Sequence, residues 1–164
     1  MMTQSEKHVH APVPGQPVLR VSVTRQTLEV VRDGMVQKTY PISTSRFGLG
    51  CEPGSYKTPL GRFRIAEKFG DGAVPGAVFR ARQPTGEVAG PGGEEDLVLT
   101  RILWLDGLDP ENANTHDRYV YIHGTNQEHL IGSPASHGCV RMTNSDIVEL
   151  FQEIPENTLV EISE

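Results

Sequence analysis

Cysteine is nearly absent from this chain: two occur in 164 residues, together with a single tryptophan. Two thiols permit at most one disulfide, between Cys51 and Cys139. Cys51 lies in the Gly/Pro-rich stretch Gly48 to Gly54 and reads as a free loop thiol. No apolar run approaches the roughly 20 residues that a membrane-spanning helix needs. There is no basic cluster, and the formal net charge is −6, which argues against nucleic acid or an anionic membrane surface as a partner. Neither a C-x-x-C nor an H-E-x-x-H pattern occurs, so zinc finds no familiar ligand set. No internal repeat is evident. Met1 to His8 is polar, without the apolar core of a signal peptide. Residues 1–17, with three prolines and one glycine, are expected to form a flexible tail.

What remains reads as one domain over residues 18–164, large enough for a proper core. Leu19, Val21 and Val23 alternate with polar residues, the period of a half-buried strand. Leu28 to Val30 and Met35 to Ile42 flank Asp33-Gly34, a hairpin turn signal. Arg62 to Ile65, the apolar run Leu97 to Leu105, Tyr119 to Ile122 and Leu159 to Ile162 supply further strands. Residues 70–96 are glycine- and proline-rich and read as a long loop, either a flap over a cleft or a mobile insertion. One helix is expected, with Ile147, Leu150, Phe151 and Ile154 on its apolar face, Thr143 and Asp146 as a capping box and Pro155 as its stop. The fold class is therefore mainly β, a sandwich or barrel-like sheet pair with one short helix.

Chemistry concentrates in Ser136-His137-Gly138-Cys139-Val140-Arg141, preceded by His123-Gly124-Thr125. A free thiol is mostly protonated at neutral pH. A nearby imidazole can take its proton, and a nearby cation favours the thiolate. Cys139 is thus a candidate nucleophile, against the commoner fate of a buried small hydrophobe. His123 closes a strand, so the sheet would fix its direction as a base. His137 stands two residues from Cys139, on the same side of an extended segment, either as a second base, a pocket wall or a structural donor. Gly138 allows close approach, and the N–H groups of Gly138 and Cys139 are candidate oxyanion donors. Arg141 suits a peptide carboxylate, or is a surface arginine. Ser136 and Thr125 are candidate hydrogen-bonding partners, and Trp104 is either cleft floor or core. His116 and His129 lie in polar stretches and read as solvated. Zinc held by His123, His137 and Cys139 is one rival reading. A papain-like peptidase and a non-catalytic wall-binding module are others, although papain-like chains place cysteine before histidine.

The ordered set Tyr121-Ile122-His123-Gly124-Thr125-Asn126, Ile131-Gly132 and Ser136 to Met142 resembles the catalytic domain of the L,D-transpeptidases. Upstream, Gln26 to Val30, Tyr40 to Thr44 and Thr58-Pro59-Leu60-Gly61-Arg62-Phe63 are similar to that family's first hairpin and its T-P-x-G-x-F segment. Asn144-Ser145-Asp146 with Leu150 resembles the helix after its cysteine. The likeness covers roughly residues 18–163. It implies a β-sandwich with Cys139 on the cleft wall, His123 as its partner and the Gly124 carbonyl orienting the ring. It also favours substrate binding by Arg141. The implied activity is peptidoglycan crosslinking in cell wall biogenesis: a thioester with the stem tetrapeptide, release of D-alanine and resolution by an amine. Water as acceptor would make the chain an L,D-carboxypeptidase. The implied partners are stem peptides, with no cofactor, no metal and no membrane insertion, and the chain is expected to be a monomer. The resemblance implies the cell envelope as location; the polar N-terminus instead suits export by another route or a cytoplasmic place.

Overall fold

The computed structural model describes residues 13–164. The greater part of the expected tail, residues 1–12, lies outside them. Strand β1 (Pro17–Ser22) buries Leu19 and Val21 and exposes Arg20, as its alternation requires. It pairs antiparallel with β2 (Thr27–Arg32), which turns into β3 (Met35–Pro41). The two turn residues, Asp33 and Gly34, have φ of 50° and 77°, the doubly positive combination that matches strand twist in a two-residue hairpin. On its other side β1 runs parallel to the last strand, β10 (Leu159–Ser163), which pairs with β4 (Gly61–Phe69).

Residues 70–96 are not a structureless loop. They contain a hairpin of β5 (Ala77–Arg80) and β6 (Gln83–Val88), turning through Ala81 and Arg82 at φ of 47° and 64°. Every residue of β6 is exposed, so it carries no apolar alternation. The hairpin continues the edge of the longest strand, β7 (Val98–Gly107), which also pairs with β4 and with β8 (Tyr121–Gly124). Parallel to β8 runs the three-residue β9 (Val140–Met142). Ser43, just beyond β3, then exchanges both main-chain hydrogen bonds with Arg141 of β9 at 2.9 Å. The ten strands form one mixed sheet that curls until β9 meets the chain just beyond β3, while the β5–β6 hairpin extends it past β7. The architecture is mainly β.

The helix α1 (Asn144–Glu153) packs on β7 and β8. Thr143 Oγ1 accepts from the N–H of Asp146 at 3.2 Å, as expected of an N-cap. At the other end Lys68 Nζ donates to the carbonyls of Phe151 and Ile154 at 2.6 and 2.8 Å, satisfying acceptors that the last turn leaves unpaired. Ile147, Leu150, Phe151 and Ile154 enter one core with Leu19, Phe63, Leu103, Ile122, Val140 and Met142. No helix among the described residues is long and apolar enough to cross a membrane.

Candidate active site

Strands β8 and β9 build the site by simple alternation. Ile122 lies beside Val140 and Gly124 beside Met142, with the three apolar side chains in the core. Tyr121, His123, Cys139 and Arg141 occupy the alternate positions and so take the opposite face. Cys139 packs against a smaller apolar cluster that includes Ile102, Trp104 and Tyr121. It also lines a cleft of about 230 Å³ with Tyr56, Arg118, Tyr119, His137 and Gly138.

The turn into Cys139 is tightly held. Gly138 has φ of 122°, and a Cβ there would stand 3.3 Å from the Lys57 carbonyl oxygen and 3.4 Å from that of Tyr56, so glycine answers both conformation and space. Ser136 Oγ donates to the Cys139 carbonyl at 2.7 Å and accepts from the Gly138 N–H at 3.2 Å. Thr58 Oγ1 donates to the Gly138 carbonyl at 2.9 Å, which gives the T-P-x-G-x-F segment a direct purpose at the site. Ser136 therefore shapes the turn, being fully buried. The Gly138 N–H, expected as an oxyanion donor, is instead directed at Ser136.

The Cys139 thiol donates to the Tyr119 carbonyl at 3.6 Å and accepts from the Tyr121 N–H at 3.3 Å. Burial pushes its pKa up to about 12, against the pull of that N–H. His123 is 1 % exposed, and its Nδ1 lies 2.5 Å from the Gly124 carbonyl. A carbonyl only accepts, so the proton is on Nδ1 and Nε2 keeps its lone pair. Burial lowers the His123 pKa from the ordinary value. The resting pair is therefore neutral thiol and neutral imidazole. Among the described residues no hydrogen bond joins them directly.

Two expectations need correction. Arg141 is fully buried: Nη1 donates to Gln127 Oε1 at 2.6 Å and Asp96 Oδ1 at 3.1 Å, and Nη2 donates to Ser43 Oγ at 3.1 Å. It is an interior cation whose two Nη atoms are engaged by three side chains while its buried Nε has no partner, and it does not stand in the cleft as a reader of substrate carboxylates. His137 is exposed on the cleft, but its Nδ1 donates to Asp96 Oδ2 at 2.9 Å and its Nε2 accepts from Arg46 at 3.2 Å. Both nitrogens are committed, which leaves His137 as wall and not as base. Phe47 and Tyr56 stand beside its ring, each with centroids 5.7 Å away.

Trp104 is buried. It stacks on His116 at 3.7 Å and lies under the guanidinium of Arg82 at 4.4 Å, so it supports the floor from below. His116 is accordingly not simply solvated; it also meets Glu67 at 3.3 Å. His129 is exposed, as expected. Thr125 is fully buried, its Oγ1 accepting from the Gln127 N–H at 3.0 Å and its carbonyl from Asn144 Nδ2 at 2.9 Å. It steadies the segment after His123 and does not line the cleft. Cys51 and Cys139 are both free. Among the described residues, no three His, Cys, Asp or Glu side chains converge as a metal ion would need.

Sequence reasoning missed Asp96, Gln127, Arg46 and Arg118. Arg118 reaches the 50s segment through Lys57 O at 2.8 Å and faces the thiol as a cation. A family model, the L,D-transpeptidase catalytic domain, matches residues 16–162. The chain belongs to this family. A Bacillus subtilis relative named as an L,D-transpeptidase, YqjB, is 31% identical over 153 residues, covering 93% of this chain and 74% of its own. Among solved structures, an L,D-transpeptidase of Xylanimonas cellulosilytica has a TM-score of 0.59 at 20% identity, covering 94% of this chain and 63% of its own. L,D-transpeptidase 3 of Mycobacterium tuberculosis, in complex with a faropenem-derived adduct, has a TM-score of 0.58 at 17% identity, covering 90% of this chain and 60% of its own. These likenesses carry the L,D-transpeptidase fold; the chain spans about three fifths of the solved chains it matches.

Proposed function

We propose that the chain is a peptidoglycan L,D-transpeptidase in which Cys139 is the nucleophile and His123 the general base. The observation that carries this reading is a cleft-lining thiol on the same face of the β8–β9 pair as an imidazole whose tautomer the Gly124 carbonyl sets. The third member of the constellation is main chain, and no Asp or Asn bonded to the histidine is needed.

Because both groups rest neutral, the thiol is activated during the attack. Rotation about Cα–Cβ takes the S–H from the Tyr119 carbonyl toward Nε2 of His123. The proton passes to Nε2 as sulfur bonds to the carbonyl carbon of the third stem residue, and the carbonyl electron pair moves onto oxygen. The Cys139 N–H, with the Gly138 N–H engaged by Ser136, is the main-chain donor for that oxyanion. The intermediate collapses and expels the amine of D-alanine, which takes the proton back from His123. An acceptor amine then attacks the thioester, loses a proton to His123 and forms the amide. Sulfur leaves as thiolate and recovers that proton as thiol. No cofactor enters these steps. Stem peptides place the substrate, and with it the enzyme's work, in the cell envelope.

Incubation with purified muropeptides and mass analysis of the products tests the reading. Crosslinked dimers with loss of D-alanine are expected. Tripeptide alone would make water the acceptor and the chain an L,D-carboxypeptidase. No change in any tetrapeptide would overturn both.

A further inference from the structure

One carboxylate at the site has no part in the reaction described above. Asp96 ends a segment pinned to the residues that follow His123. Asn126 Nδ2 donates to the carbonyls of Gly92 and Glu95 at 2.9 Å, and Gln127 Nε2 donates to that of Gly93 at 2.9 Å. The Leu97 N–H donates back to Asn126 Oδ1 at 3.1 Å. The Asp96 side chain, 15% exposed, is thereby held between Arg141 Nη1 at 3.1 Å and His137 Nδ1 at 2.9 Å. Arg141 is the residue in register with His123 across the β8–β9 pair.

This placement matters because His123 must carry a positive charge in acylation while almost fully buried. Burial opposes that charge, and Arg141, a fixed cation beside it, opposes it further. Of the other groups on this face of β8 and β9, Cys139 carries a neutral thiol and Tyr121, whose ring centroid lies 6.5 Å from the imidazole, a phenol. Neither supplies a negative charge at neutral pH. Arg118 faces the thiol and adds positive charge. Asp96 alone in this set is anionic, and its field acts on His123 in the favourable direction. Although burial works to raise the Asp96 carboxyl, the charge of a protonated His123, the His137 hydrogen bond and Arg141 together hold it below the usual carboxylate range.

We propose that Asp96 is a positioning residue for acyl transfer: its carboxylate neutralises Arg141, fixes the wall histidine His137 and supplies the counter-charge for the His123 imidazolium. It does the electrostatic work of a triad carboxylate without bonding to the base. The proposal rests on His123 being the base for Cys139.

The test compares the parent with Asp96→Asn, which keeps the shape and removes the charge, and with Asp96→Glu, which keeps the charge. Stopped-flow acylation is followed against pH, with thermal unfolding of each variant. Asp96→Asn should lower the plateau rate by about tenfold or more, the equivalent of one pKa unit in the base. It should also move the acidic limb to lower pH, since the imidazolium loses its partner. Asp96→Glu should recover part of the rate with the limb in place. An unchanged rate and limb in Asp96→Asn, or a lower rate with the limb unmoved, would overturn the proposal. So would the failure of Asp96→Asn and Asp96→Ser alike to fold, since the carboxylate would then be structural. Cys139→Ala is run beside them: if it still turns over, the nucleophile assignment fails instead.

Discussion

Arg141 and Gln127 meet in the interior of the domain, Nη1 donating to Oε1 over 2.6 Å. The arginine two residues after Cys139 is therefore part of the frame behind the site. It ties β9 to Ser43 at the sheet closure, to the segment after His123 and to Asp96.

Arg141→Ala should destabilise the domain by about 3–5 kcal/mol, because it leaves the Asp96 carboxylate without its buried partner. Thermal or denaturant unfolding measures this. A variant of parental stability with only a raised KM for stem peptide would restore Arg141 as a substrate ligand.

Cys139→Ala should abolish turnover with the fold intact, whereas Cys51→Ala should retain most activity. Muropeptide assays paired with circular dichroism check both. The reverse pattern would move the nucleophile to the other thiol.

His123→Ala should lower acylation by about 10²–10⁴-fold, the range for a positioned base, and His137→Ala should cost less. The pH profile follows from the neutral resting pair. The base works deprotonated, and burial lowers its pKa below 6.5. Acylation should thus hold its plateau as pH falls through 6.5 and decline only below. On the alkaline side the thiol, at about 12, adds no inflection near neutrality. Stopped-flow rates from acid to alkaline pH measure this; a loss of rate as pH rises above 7 would instead indicate a resting thiolate–imidazolium pair.

The proposed attack of Cys139 on a peptide carbonyl should extend to a strained β-lactam, with carbapenems as the class the family resemblance favours. One covalent adduct per chain is expected on the peptide containing Cys139, forming more slowly once His123 is protonated. Intact-protein and peptide mass spectrometry read it. An adduct confined to Cys51, in protein that turns over muropeptides, would contradict the cleft geometry.

Elements with a strong local signal were legible in the sequence. Asp33-Gly34 announced its hairpin, the alternation through Leu19 and Val21 announced β1, and Thr143 with Ile147, Leu150 and Phe151 announced α1. The candidate pair of His123 and Cys139 was legible from motif order. Orientation was not. Nothing in the spacing of Arg141 says that its side chain ends among Gln127, Asp96 and Ser43, since that depends on a sheet closure 98 residues away in sequence. Asp96, in the run Glu94-Glu95-Asp96, reads as one more solvated acid until Asn126 and Gln127 fold the segment onto the site. The exposed β6, with Pro84 and Gly86, has the composition of a loop and forms a strand only by pairing with β5.

The meeting of Ser43 with Arg141 bears on how the protein comes into being. The three-residue β9 is too short to stand alone. It is held by β8 on one edge and by the chain just past β3 on the other, and its leading turn is held by Thr58. Contacts this distant in sequence are among the slower ones to form. A nascent chain that ends after β7 has neither His123 nor Cys139. A partly folded one has a cysteine with no cleft, no oriented imidazole and no shaped turn. The proposed site thus depends on contacts far apart in sequence, Ser43 with Arg141 and Thr58 with Gly138 among them.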